Sequence, residues 1–130
     1  MRWLAGLRRD RRGGAAIEFA VLAPVLFTIM LGIVEMGRMF YVRQALEYAT
    51  EQAARYYMLN PTFATGAITT YLQGQMAGGM GTDVNVSYAD CSNASVTCTA
   101  ITSAYSFNFV AAFLGLSNLT MHAKAQAVRQ

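Results

Sequence analysis

The dominant pattern is one uninterrupted apolar run. From Phe19 to Val34 the chain reads FAVLAPVLFTIMLGIV, 16 residues without a charge. Extending it back to Ala15 and on to Gly37 gives 23 residues interrupted only by Glu18 and Glu35. A helix needs about 20 residues to cross ~30 Å of hydrocarbon. The extended segment, 14–37, therefore predicts a single transmembrane helix. Pro24 removes one backbone hydrogen bond and is expected to bend the helix near residues 20–24. Ala16 and Ala20, four apart, would let another helix approach closely; simple lipid contact is the alternative.

The helical period continues beyond the apolar run. Met39, Val42, Leu46, Ala49, Ala53 and Tyr56 recur at alternating spacings of three and four, one stripe of a helix. Arg43 with Glu47, and Glu51 with Arg55, place opposite charges four apart on exposed positions. Asn60-Pro61 ends the element, because the residue before proline is pushed out of the helical region. The predicted helix runs from about Ala15 to Leu59. A second, shorter helix is expected over 62–77, with Thr62 as N-cap and Phe63, Ala67, Ile68, Tyr71, Leu72 and Met76 on one face. Gly78-Gly79 and Gly81 break it.

The period then changes to two. Val84, Val86 and Tyr88 alternate with polar neighbours, as do Tyr105, Phe107 and Phe109. Leu119, Met121, Ala123, Ala125 and Ala127 follow the same rule. These are three half-buried strands, expected in one antiparallel sheet with its apolar face on the long helix. Residues 110–118 read as a loop. The expected fold class is α+β: a basic tip (1–13), a membrane helix (14–37) and a small head (38–130) that includes the continuation of the helix to about 59.

Composition agrees with a membrane-anchored chain. Hydrophobic residues make up 55% and charged residues 13% of the 130, against ~45–50% and ~25% in ordinary soluble domains. This excludes an intrinsically disordered protein. The net charge of +3 is unevenly placed. Residues 1–13 hold five arginines and one aspartate; the remainder is close to neutral. No basic face is expected on the folded part, so nucleic acid is not an expected partner. Arginines on the N-terminal side of the apolar run place the N-terminus in the cytoplasm and the head outside. A removable signal peptide is the alternative, but Val34-Glu35-Met36-Gly37-Arg38 offers no small-x-small cleavage site.

Candidate chemistry is sparse. Cys91 and Cys98 enclose six residues in a polar stretch between strands. The expected topology puts them in an oxidising compartment, so a disulfide is the leading reading, with two free thiols as the alternative. His122 falls on the polar face of a strand, and Asp83 and Asp90 read as turn residues. No nucleophile motif, phosphate loop or metal-spaced cluster is present. The expectation is a non-enzymatic chain without a cofactor or small-molecule substrate.

The junction Arg11-Arg12-Gly13-Gly14-Ala15-Ala16-Ile17-Glu18-Phe19 needs its own explanation. A carboxylate at the bilayer centre costs ~2.5–3.5 kcal/mol, and less near the edge, so a carboxylate kept there usually has a partner. Cleavage after Gly13 would make Gly14 the new N-terminus, with its ammonium about one helical turn from Glu18. The pair could neutralise itself within one chain, or between chains offset along a bundle. Otherwise Glu18 is an interfacial residue and the glycines a hinge.

Basic leader, Gly13, Glu18 five positions later, Phe19 and a long apolar helix together resemble the class III prepilin-like leader of the tight-adherence (Tad, or Flp) pilus system. The stretch RRGGAAIEFAVLAPVLFTIMLGIVEMGR is similar to the TadE-like family of minor pseudopilins; the tail, SFNF…LSNLTMHAKAQAVR, resembles it more weakly. The resemblance implies cleavage by a membrane-embedded prepilin peptidase between Gly13 and Gly14. Gly14 as the residue before the cut is the alternative. It further implies a structural or priming subunit, with Glu18 and Phe19 in assembly and register. The implied partners are the peptidase, a major pilin, a sister minor pseudopilin and inner-membrane lipid. The implied location is the bacterial inner membrane with a periplasmic head, or the cell surface within a pilus. An uncleaved single-pass anchor whose exterior head binds a partner or ligand is the competing reading.

Overall fold

The computed structural model describes residues 13–60, 62, 64–93, 96–110, 115 and 118–129. Its fold is α+β: a long helix α1 (Gly14–Leu59), a short helix α2 (Thr65–Gln75), a 3-10 segment (Ala77–Asp83) and strands β1 (Val84–Asp90), β2 (Thr97–Phe107) and β3 (Leu119–Arg129). The 46 residues of α1 would reach about 69 Å at 1.5 Å per residue. Pro24 does not interrupt the helix, and Thr28 Oγ1 donates to the Pro24 carbonyl at 2.8 Å. Asn60 closes α1, its backbone and side-chain N–H groups both donating to the Tyr56 carbonyl.

The three strands form one antiparallel sheet in the order β1-β2-β3. Val84 stands opposite Tyr105, and Tyr105 opposite Met121, so Val84, Tyr105 and Met121 share one face. This face rests on the helices. Val42, Leu46, Ala49 and Ala53 from α1 meet Ile101, Phe107, Met121, Ala123 and Ala127 from the sheet, and Ile68 and Leu72 of α2 complete the core. The α1–sheet seam is rich in alanine, which lets helix and sheet approach closely. At its centre lies a buried polar pair: Thr50 Oγ1 donates to the Leu46 carbonyl and accepts from Ser103 Oγ. Burying two hydroxyls is tolerable here because each has a partner.

Three expectations need correction. β2 begins at Thr97 rather than near Tyr105, and Phe109 lies beyond its end. Its early residues, Cys98, Ala100 and Ser103, are small or polar, so the alternation is invisible until the pairing is known. The N-cap of α2 is Ala64, not Thr62, and Ala67 is exposed while Ile68 and Leu72 face the core. Glu51 and Arg55 form no ion pair, whereas Arg43 Nε donates to Glu47 Oε1 at 3.0 Å as expected. Phe63, most of the 110–118 loop and residues 1–12 of the basic tip lie outside the described residues.

The glycine-rich link after α2 is set by close packing. Gly79 has a φ of 76°, a conformation that favours glycine. Gly81 is buried, and a Cβ there would overlap the Gln73 backbone carbonyl at the end of α2. Gly81→Ala is therefore expected to destabilise the full chain by about 1–3 kcal/mol, the usual penalty of overpacking. Urea unfolding of the detergent-solubilised protein, followed by circular dichroism, measures this shift.

Candidate functional site

The first part of α1 has no cover from the head. Ile17, Phe19, Leu22, Phe27 and Ile33 are each about two-thirds exposed. They point in all directions around the helix, which is long and apolar enough to cross a membrane. This makes it a candidate membrane anchor. Such a surface is stable only when lipid or other chains take it out of water.

Gly13 precedes the first α-helical residue with φ −86° and ψ −5°, and no side chain caps the helix. No heavy atom would come within 4 Å of a Cβ on Gly13 or Gly14. Glu18 and Phe19 follow on the exposed helix, and Glu18 has no ion-pair partner among the described residues. Gly14 and Glu18 are four residues apart on one face, with an axial rise of about 6 Å. Ala16 and Ala20 are likewise exposed. The structure thus gathers Gly13, Gly14, Glu18 and Phe19 at one end of a bare helix.

Cys91 and Cys98 lie at the opposite end of the molecule and are joined in a disulfide. The bridge closes the β1–β2 hairpin. The Cys91 N–H donates to the Cys98 carbonyl at 3.0 Å, and the Cys98 N–H donates to Ser92 Oγ at 2.9 Å. Hydrogen bonds from the Ser92 side chain and backbone hold the Asp90 carboxyl below its ordinary pKa. His122 is exposed on the outward-facing side of β3, opposite Ala104.

A third cluster sits where the bare helix meets the head. The Glu35 side chain is 4% exposed. Arg38 Nη1 donates to both of its carboxylate oxygens at 3.0 Å, and the Val110 backbone N–H donates to Oε1 at 3.2 Å. The Arg38 guanidinium lies 5.2 Å from the centre of the Phe107 ring, and Phe109 meets that ring edge-on at 5.1 Å. One turn of helix and the end of β2 are fastened by a single carboxylate.

The sequence pattern showed Glu35 only as an interruption of the apolar run, and this clamp was missed. The signal was present. Glu35 lies four residues before Met39, on the apolar stripe that packs against the head, and Arg38 follows at the helical spacing of three. A charge on a core-facing stripe with its counter-ion one turn away marks a buried pair.

The two members of the clamp should respond unequally. Removing Arg38 strands a buried carboxylate, whereas Glu35→Gln leaves an acceptor for Val110 and an Arg38 side chain that reaches water, being 46% exposed. Arg38→Met is expected to destabilise the protein by about 2–4 kcal/mol and Glu35→Gln by about 1 kcal/mol. Equal losses in denaturant titrations of the two variants would contradict this asymmetry.

Residues 13–55 match the model of the TadE family, TadE-like protein. The matched segment starts at the glycine pair and runs through the bare helix, the clamp and the first half of the seam. No curated protein and no solved structure matches the chain.

Proposed function

Taking residues 13–55 as a TadE-like segment, we propose that the chain is a minor pseudopilin of a Tad-type pilus. A prepilin peptidase cuts it between Gly13 and Gly14, and the product is a structural or priming subunit rather than an enzyme. The precursor crosses the inner membrane once, with its arginine tip in the cytoplasm and its head in the periplasm.

One observation carries this reading: a helix bare around its first half bears, one turn from a glycine pair, a carboxylate with no ion-pair partner among the described residues. Cleavage after Gly13 creates an ammonium on Gly14, on the same face as Glu18. In hydrocarbon an ion pair is far better than an isolated charge. A neighbouring subunit's amine could serve equally, and Glu18 would then act as a stop that sets how far one helix slides along another. The bare surface supports this, because helices without head contacts are free to pack on the major pilin and a sister subunit. Gly13 also suits cleavage, since the helix starts only at Gly14 and no side chain crowds the bond.

The mature N-terminus provides the test. Protein purified from cells that contain the peptidase is expected to begin at Gly14 by mass spectrometry. Gly13→Asp should leave the precursor uncut. Glu18→Ala should be cut normally but reduce pilus assembly at least tenfold in a shearing assay. An intact arginine tip on functional protein would instead favour an uncleaved single-pass anchor. Normal piliation with Glu18→Ala would remove the register role.

A further inference from the structure

The contacts between α1 and β2 fix a vertical register. Thr99 meets Tyr57 at the far end, Ser103 meets Thr50 midway, Phe107 lies against Arg38, and Val110 meets Glu35. From Thr50 to Glu35 the helix descends about 22 Å at 1.5 Å per residue. From Ser103 to Phe107 the strand descends about 13 Å at 3.3 Å per residue. β2 thus runs down alongside α1, and the hydrogen bond from Val110, three residues past its end, holds Val110 at the level of Glu35. The disulfide hairpin lies at the other end.

Glu35 directly follows the uncharged run Phe19–Val34. We propose that the lower end of the head is a membrane-contact surface, with Val110 seated in the interfacial layer of the bilayer that α1 crosses. The proposal rests on α1 spanning the membrane and not on pilus assembly.

Four observations support lipid as the occupant. Val110 is apolar and 69% exposed, although its backbone is pinned to the clamp. Leu31, one turn below Glu35 on the same face, is half-buried, whereas Leu22 and Leu26 are exposed. The cover over this face therefore reaches into the uncharged run. The anion at this level is withdrawn from the surface, because Glu35 is 3% exposed and both its oxygens are engaged. Just above, Phe40 and Tyr41 are exposed, and the Arg38 side chain is 46% exposed. Aromatic and arginine side chains are the usual residents of the headgroup layer. A water-facing corner would have no use for a hidden carboxylate and a bare valine.

The test uses the full chain, disulfide intact, in vesicles of phosphatidylethanolamine and phosphatidylglycerol. An environment-sensitive fluorophore is attached to Leu26→Cys, Val110→Cys or Gln126→Cys, all at exposed positions. Gln126 pairs with Ala100 near the far end of the head. Nitroxide-bearing lipids should quench the labels at 26 and 110 by at least half and leave the label at 126 unaffected. Quenching at 26 with a water-like signal at 110 would overturn the membrane seat and leave the anchor intact. A water-like signal at 26 would overturn the anchor, and the seat with it.

Discussion

A single carboxylate holds the two halves of this molecule in one frame. Glu35 occupies the point where α1 stops being bare and starts being covered, and it accepts three hydrogen bonds from two donors, Arg38 Nη1 and the Val110 amide. Burying an anion is tolerable only with such partners. Here they come from the helix itself and from Val110, three residues past the end of β2. The helix cannot turn about its axis or slide against the sheet without breaking the Val110 hydrogen bond to that carboxylate. Thr50 and Ser103 fasten the same pair of elements higher up. Two polar fastenings along an alanine-rich seam fix the register of a small head that has little apolar core with which to define it.

That arrangement lets one helix serve two environments. Its lower part turns every face outward, which suits lipid or neighbouring helices. Its upper part turns one stripe inward onto a twisted sheet and leaves the opposite face polar, with Arg43 and Glu47 paired in the open. The change of environment needs no break in the backbone, because hydrogen bonding along a helix is internal to it. The switch is made by side chains alone, from an uncharged run to a three-four stripe, and Glu35 marks the boundary.

Much of this was legible in the sequence, for physical reasons. The long helix and its end at Asn60 follow from apolar length, a stripe at helical spacing and a proline. The outer strands showed as alternation because β3 has one face on the core and one in water, so Met121, Ala123 and Ala127 are buried between exposed Thr120, His122, Lys124 and Gln126. The start of β2 was hidden because it is the central strand. Cys98 and Ala100 are buried on one side, Ile101 and Ser103 on the other, because flanking strands shield small residues even on the outer face, and no alternation shows. Glu35 was only half legible. Its place on the apolar stripe and its spacing to Arg38 show in the sequence, but the backbone amide that completes the clamp does not. Val110, 75 residues away in the chain, carries no local sign of that contact.

The clamp also bears on the depth of Glu18. The run Phe19–Val34 spans about 24 Å, some 6 Å short of a typical ~30 Å hydrocarbon core. The deficit cannot be met at the head end, where drawing Glu35 inward would take Arg38 and the end of β2 with it. It must come from the N-terminal end, through Ala15 to Glu18, or from thinning of the bilayer. Thinning costs fractions of a kcal/mol per Å. Immersing a carboxylate near the edge costs less than the ~2.5–3.5 kcal/mol of the bilayer centre. The two penalties are of similar size, so a modest interaction decides between them. The ammonium that the proposed cleavage after Gly13 would create, one helical turn away on the same face, would offset the charge of Glu18 and tip the balance towards immersion. With the clamp fixing one end of a membrane span, the charge state at the other end would then control how deeply the chain sits.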